Sequence, residues 1–179
     1  MLNKEWIKVM MNDVRLSRKE GVEYGRVLYK DRLGELIIGT KSRERLTLIF
    51  SFSMSSWDEW IGVFHVHPTD FEKRNSYFSY NDIISILRCD CELNRIIKYN
   101  VLGYMIRGVP ILKVFEAKGI DIDKRTLEDI KILMKCQRSN QWKDGWYKRL
   151  NLDAYVGMEN IFKQYYNLEI VRGDGYADE

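Results

Sequence analysis

Trp60-Ile61-Gly62-Val63-Phe64-His65-Val66-His67-Pro68 is the stretch from which the rest of the chain can be read. It is short, apolar and rich in aromatic and β-branched residues. Pro68 closes it, which is the signature of a strand running into a loop. Side chains alternate faces along a strand, so His65 and His67 project from the same face, roughly 6–7 Å apart along it. They are the only histidines of the chain. Two imidazoles so placed are a workable geometry for two ligands of one metal.

A catalytic zinc site has three protein ligands and keeps a fourth position open. With no third histidine, the remaining ligand must be Asp, Glu or Cys. Ser79-Tyr80-Asn81-Asp82 follows the strand, at the start of an expected helix over Ser79 to about Leu93 whose apolar residues are Ile83, Ile84, Ile86 and Leu87. Ser79 suits the N-cap and Asp82 falls in the first turn, from which a carboxylate can be aimed back at the strand end. Capping alone would also explain both residues, and capping and coordination are compatible.

Working outward, Asn3 to Lys19 places Trp6, Val9, Met10 and Val14 at helical spacing, and Gly21 punctuates its end. Val22–Tyr29, Gly34–Gly39 and Arg45–Phe52 read as successive strands separated by polar or glycine turns. Beyond the central helix, Val101–Ile106 and Ile111–Phe115 flank Arg107-Gly108-Val109-Pro110, a hairpin signal. After Gly119 the texture is helical. Thr126–Cys136 carries Leu127, Ile130, Leu133 and Met134 on one face, Asp153–Tyr166 gives a second helix, and Gly173–Glu179 is a polar tail. The order of elements predicts an α+β or mixed α/β domain with a central sheet flanked by helices.

Composition is consistent with this. The 179 residues are 45% hydrophobic, enough for one full-sized core. The charged fraction of 31% is mixed in sign and the net charge is +3, without the basic stripe of a nucleic-acid binder. Cys89, Cys91 and Cys136 do not form a disulfide framework, and Cys89 and Cys91 on a helix would face nearly opposite sides, so inert thiols are expected. No apolar run is long enough to span a bilayer and the N-terminal residues do not read as a signal peptide, so a soluble cytoplasmic protein is expected. Trp57, Trp60, Trp142, Trp146, Tyr165 and Tyr166 are expected to pack in the core and its rim.

His65-Val66-His67-Pro68, followed by Ser79-x-x-Asp82 and preceded by a glutamate on an earlier strand, resembles the motif of the JAMM (MPN+) metalloproteases and isopeptidases. The resemblance covers roughly Asn3 to Ala117. It implies an MPN-like core over residues 1–118, with residues 119–179 as a C-terminal helical extension of the same domain. It further implies that His65, His67 and Asp82 bind Zn2+, that Glu23 is the general base, and that Ser79 donates to the developing oxyanion. Glu23 stands just before Tyr24-Gly25-Arg26-Val27-Leu28; Glu35, in the next strand, is its rival and lies closer to the histidines. Ten residues separate Pro68 from Ser79, more than is usual in the family, so Thr69–Phe78 would enlarge a loop beside the site.

The implied activity is zinc-dependent hydrolysis of an amide bond in a protein or peptide, including isopeptide bonds at the C-terminus of ubiquitin-like or sulfur-carrier modifiers. A ligand set of two histidines and one carboxylate also suits iron. The alternative of another class is a non-catalytic MPN-type scaffold that binds a partner through its aromatic C-terminal third. Oligomeric state is left open by the sequence.

Overall fold

The computed structural model describes residues 2–39, 59–68, 97–119, 159–160 and 163–176. The strand expected at 45–52 and the helices expected at 79–93 and 126–136 lie outside these residues. So do the cysteines, the loop 69–78, and Ser79 and Asp82.

The first element is helix α1, Lys4–Glu20. Asn3 caps it: its side-chain oxygen accepts from the Glu5 backbone N–H at 2.8 Å, satisfying one of the free donors of the first turn. Ile7, Met10, Met11 and Val14 form the buried stripe, while Lys4, Lys8, Asn12, Arg15 and Lys19 face outward. Val9, expected on the apolar face, is 40% exposed instead. The helix ends where Gly21 turns into the left-handed region at φ 69°, its N–H donating to the Ser17 carbonyl at 2.8 Å.

Six strands follow: β1 Tyr24–Tyr29, β2 Ile37–Ile38, β3 Trp60–Val66, β4 Tyr99–Ile106, β5 Val109–Ala117 and β6 Tyr166–Arg172. They form one sheet in the order β2-β1-β3-β4-β5-β6. Every neighbouring pair is antiparallel except β3 and β4, which are parallel. A parallel pair cannot be closed by a tight turn, so residues 67–98 form the crossover between them. The β4–β5 hairpin has the reverse economy: Arg107 (φ 49°) and Gly108 (φ 82°) make a two-residue turn with both central residues at positive φ.

The sheet has two differently used faces. Tyr24, Phe64, Val66, Tyr99, Val101, Leu112 and Val114 pack with the stripe of α1 in one apolar core. Gly103 lets the helix come this close, because a Cβ at that position would stand 2.5 Å from Val14 Cγ2 and 3.0 Å from Phe64 Cε2. Arg26, on the same face, donates from Nε to Asp13 Oδ2 at 2.6 Å and from Nη1 to the Gly34 carbonyl at 2.9 Å, tying helix, strand and following loop together. The alternate residues Val27, Val63, Leu102, Ile111 and Phe115 point to the other face and are also buried. Both faces of the central strands are therefore covered, which explains why β3 and β4 are almost wholly apolar rather than alternating.

The C-terminal region differs from expectation. The helix expected to run to Tyr166 gives way there to β6, which pairs with β5 along its whole length from Tyr166↔Ala117 to Arg172↔Ile111. Residues 173–176, expected as a polar tail, form a 3-10 turn. The last third of the chain thus contributes a strand to the sheet and is not helical throughout. Among the described residues, no helix is long and apolar enough to cross a membrane.

Candidate metal centre

The two histidines stand at the C-terminal end of β3. Phe64 and Val66 belong to the core under α1, so His65 between them and His67 beyond them point to the opposite face. His65 is 6% exposed and His67 half-buried. Their rings lean together, with centroids 5.0 Å apart at 60° and with Nε2 facing Nε2 at 3.3 Å. The backbone N–H of His67 still donates to the Gly103 carbonyl at 2.9 Å, so the strand remains anchored one residue past its formal end.

The 3.3 Å separation tests whether this pair fits a metal. Two imidazole nitrogens bound at about 2.0–2.1 Å to one tetrahedral zinc lie roughly 3.3–3.4 Å apart. A mere N–H···N contact between the rings would be long by ordinary hydrogen-bond standards. The pair therefore fits two adjacent corners of a tetrahedral ion. Among the described residues, no group of three or more metal-ligating side chains occurs. Asp82 and Ser79 belong to the crossover 67–98 and lie outside those residues.

Strand register places the glutamate. Gly25 is the partner of His65 in the antiparallel β1–β3 pair, after Arg26↔Phe64 and Val27↔Val63. Continued by two residues, the same register sets Glu23 across from His67, on the face the histidines use. Glu23 is half-buried, and its carbonyl accepts from the Gly39 N–H at 2.8 Å, so the backbone under it is held from the β2 side. Glu35 is exposed and lies outside both β1 and β2. Glu23 thus stands one residue before β1, two from the Gly25↔His65 pair, and Glu35 stands two residues before β2.

Other polar groups share this face. Asn100, between Tyr99 and Val101 of the α1 core, points the same way as His65 and is fully buried. Lys113 shares a row with His65, separated from it by Leu102 on β4. Its Nζ meets Glu159 Oε2 at 2.5 Å, and Glu159 Oε1 meets Lys163 Nζ at 3.0 Å. Burial lowers the Lys113 pKa below the ordinary lysine value, with Glu159 opposing that shift. Neither Asn100 nor the Lys113–Glu159 pair was among the candidates read from sequence. Asn100 stands just before the strand expected from Val101, and Lys113 is the one charged residue of the strand expected over Ile111–Phe115.

No family model, no curated protein and no solved structure matches this chain.

Proposed function

We propose that this protein is a zinc-dependent amidohydrolase of JAMM (MPN+) type, acting on a peptide or isopeptide bond of a protein substrate. The observation that carries the reading is the His65–His67 pair on one strand face at a tetrahedral ligand spacing; support for Glu23 is that it lies two residues before Gly25, the partner of His65. The mixed six-stranded sheet is compatible with an MPN-like core. The sequence motif adds Asp82 as the third ligand and Ser79 as a hydrogen-bond donor.

In this reading His65 and His67 hold the ion as neutral imidazoles, fixed by a strand that is bonded on both sides. The zinc would supply polarisation of the scissile carbonyl and a more acidic attacking water. Glu23 takes the proton from that water and returns it to the leaving amine, so no covalent intermediate with the protein is needed. Ser79 donates to the oxygen on which charge develops. Buried apolar residues around His65, among them Val63 and Leu102, keep bulk water from the inner side of the site.

Elemental analysis of the purified native chain and of His67→Ala tests the reading. About one zinc per native chain, absent from the variant, is expected. Cleavage of peptide- and isopeptide-linked substrates should then be lost in Glu23→Gln with zinc retained. A native chain that takes up no metal when zinc is offered would overturn the hydrolase reading and leave a non-catalytic scaffold in its place.

A further inference from the structure

The sheet ends in two unlike strands. β2 is two residues long, whereas β6 runs for seven and pairs with β5 without a bulge from Tyr166↔Ala117 to Arg172↔Ile111. Two hydrogen bonds fix which way the β6 backbone points. The Lys118 N–H donates to the Tyr165 carbonyl at 3.0 Å, and the Ala117 N–H donates to the Lys98 carbonyl at 2.8 Å on the β4 side. Alternate residues of a strand present their N–H and C=O to opposite sides. Asn167, Glu169 and Val171 therefore bond to β5. Leu168, Ile170 and Arg172 turn their N–H and C=O to the outer edge, where no other strand of the described residues lies.

This edge is open. Asn167, Glu169, Ile170 and Arg172 are exposed, Ile170 at 49%. Both ends of the strand are tied toward β5 and away from the edge. Before it, the Lys163 carbonyl accepts from Lys118 Nζ at 2.8 Å. After it, Gly173 comes down on Pro110 of β5, so closely that a Cβ there would stand 2.4 Å from Pro110 Cγ. Edge strands are guarded against pairing by proline, lysine, a bulge or shortness. Tyr166-Asn167-Leu168-Glu169-Ile170-Val171-Arg172 has none of these.

We infer that β6 is a dimerisation edge, on which a second copy of this chain pairs β6 to β6 in antiparallel fashion and continues the sheet through both copies. The edge is complementary to itself. A two-fold axis at Ile170 sets Ile170 across from its counterpart, Leu168 across from the second copy's Arg172, and Glu169 across from the second copy's Val171. The outward N–H and C=O groups of Leu168, Ile170 and Arg172 are then all used, in about six hydrogen bonds. The aliphatic stem of Arg172 covers Leu168, the exposed Ile170 is covered by its twin, and no like charges stand directly opposed. An axis one residue earlier, at Glu169, would set two carboxylates face to face, so charge favours the axis at Ile170 over that one. A substrate tail bound for the histidines is the poorer occupant: β6 lies three strand spacings from β3, about 14 Å, and its outer edge faces away from it. The inference stands apart from the zinc reading and does not need it.

The test is sedimentation equilibrium of the native chain, Ile170→Pro and Ile170→Lys over a range of concentrations. The native chain should be a dimer at micromolar concentration. Ile170→Pro removes the outward N–H without touching a bond to β5, a change that an edge strand tolerates. Ile170→Lys sets two like charges on the axis. Both variants should be monomers where the native chain is a dimer. A native chain that stays monomeric overturns the inference and leaves the edge to a strand of another protein. A native dimer that neither variant weakens overturns it as well. Should the variants not fold, amide exchange in the native chain decides. Protection at Leu168, Ile170 and Arg172 should rise with protein concentration while that at Asn167, Glu169 and Val171 stays constant, and protection that ignores concentration overturns the inference.

Discussion

Arg26 and Asp13 meet in a two-pronged pair, Nε to Oδ2 at 2.6 Å and Nη2 to Oδ1 at 3.1 Å, with the carboxylate only 3% exposed. The pair joins the middle of α1 to β1, three residues from Glu23. Removing one partner would leave the other charge buried alone. Asp13→Ala should therefore cost about 3–5 kcal/mol of stability in urea unfolding. A loss below about 1 kcal/mol would mean that the pair behaves as a surface ion pair despite its burial.

Tyr24 predicts an alkaline limit. Burial, then the hydrogen bond and charge of Glu20, push its phenol up to about 12 from an ordinary value of 10. Between those two values the folded chain keeps a proton that the unfolded chain has released. The stabilisation is complete below pH 10 and is lost as pH climbs through 12. Unfolding curves at pH 9 and pH 11 should show a smaller drop for Tyr24→Phe than for the native chain. Equal drops would refute the linkage.

Gly103 predicts a packing penalty. A methyl group there would enter the space of Val14 and Phe64, so Gly103→Ala should lose about 1–3 kcal/mol by forcing α1 outward. Pairing it with Val14→Ala should recover part of that loss, since the same volume is freed from the helix side. Strictly additive losses in the double variant would place the strain elsewhere.

Lys113 and Glu159 predict an asymmetry. Lys113→Met leaves a buried carboxylate with, among the described residues, Lys163 alone to meet it and should destabilise by about 3 kcal/mol. Lys113→Met combined with Glu159→Leu removes both desolvated charges and should be neutral or more stable than native, by up to about 4 kcal/mol. Chemical denaturation of the single and double variants reads this directly.

Zinc itself should act as a folding ligand. At a thousandfold excess over its dissociation constant, an ion bound only by the folded state adds about 4 kcal/mol. The melting temperature of the native chain should rise with zinc and fall with a chelator, while that of His67→Ala should respond to neither. A native melting curve indifferent to zinc would count against the site.

Much of this was legible beforehand because the strongest signals are local. Helix α1 follows from its stripe and Gly21, β3 from an apolar run ended by Pro68, and the β4–β5 hairpin from Arg107-Gly108-Val109-Pro110. The histidine pair followed from the period of a strand alone. Register did not follow. That Gly25 of β1 lies across from His65 is a matter of strand register, and no short-range pattern encodes it. Strand β6 was missed because an edge strand buries few residues. Tyr166 and Val171 are anchored, but Asn167, Glu169 and Ile170 are exposed, and the helical spacing before Tyr166 was carried too far. Asn100 and Lys113 escaped because a polar residue in a strand says nothing of its burial until the opposite face is seen to be covered.

The single parallel pairing in the sheet also orders events in time. Hairpin β4–β5 closes through two residues, whereas β3 and β4 pair across a chain separation of residues 67–98. The entropy lost in closing a loop grows with its length, so the hairpin can nucleate early and the β3–β4 ladder must zip late. The histidines ride on that late ladder. Their convergence is thus among the last steps of folding, and a metal ion would arrive as the latch on a nearly finished fold.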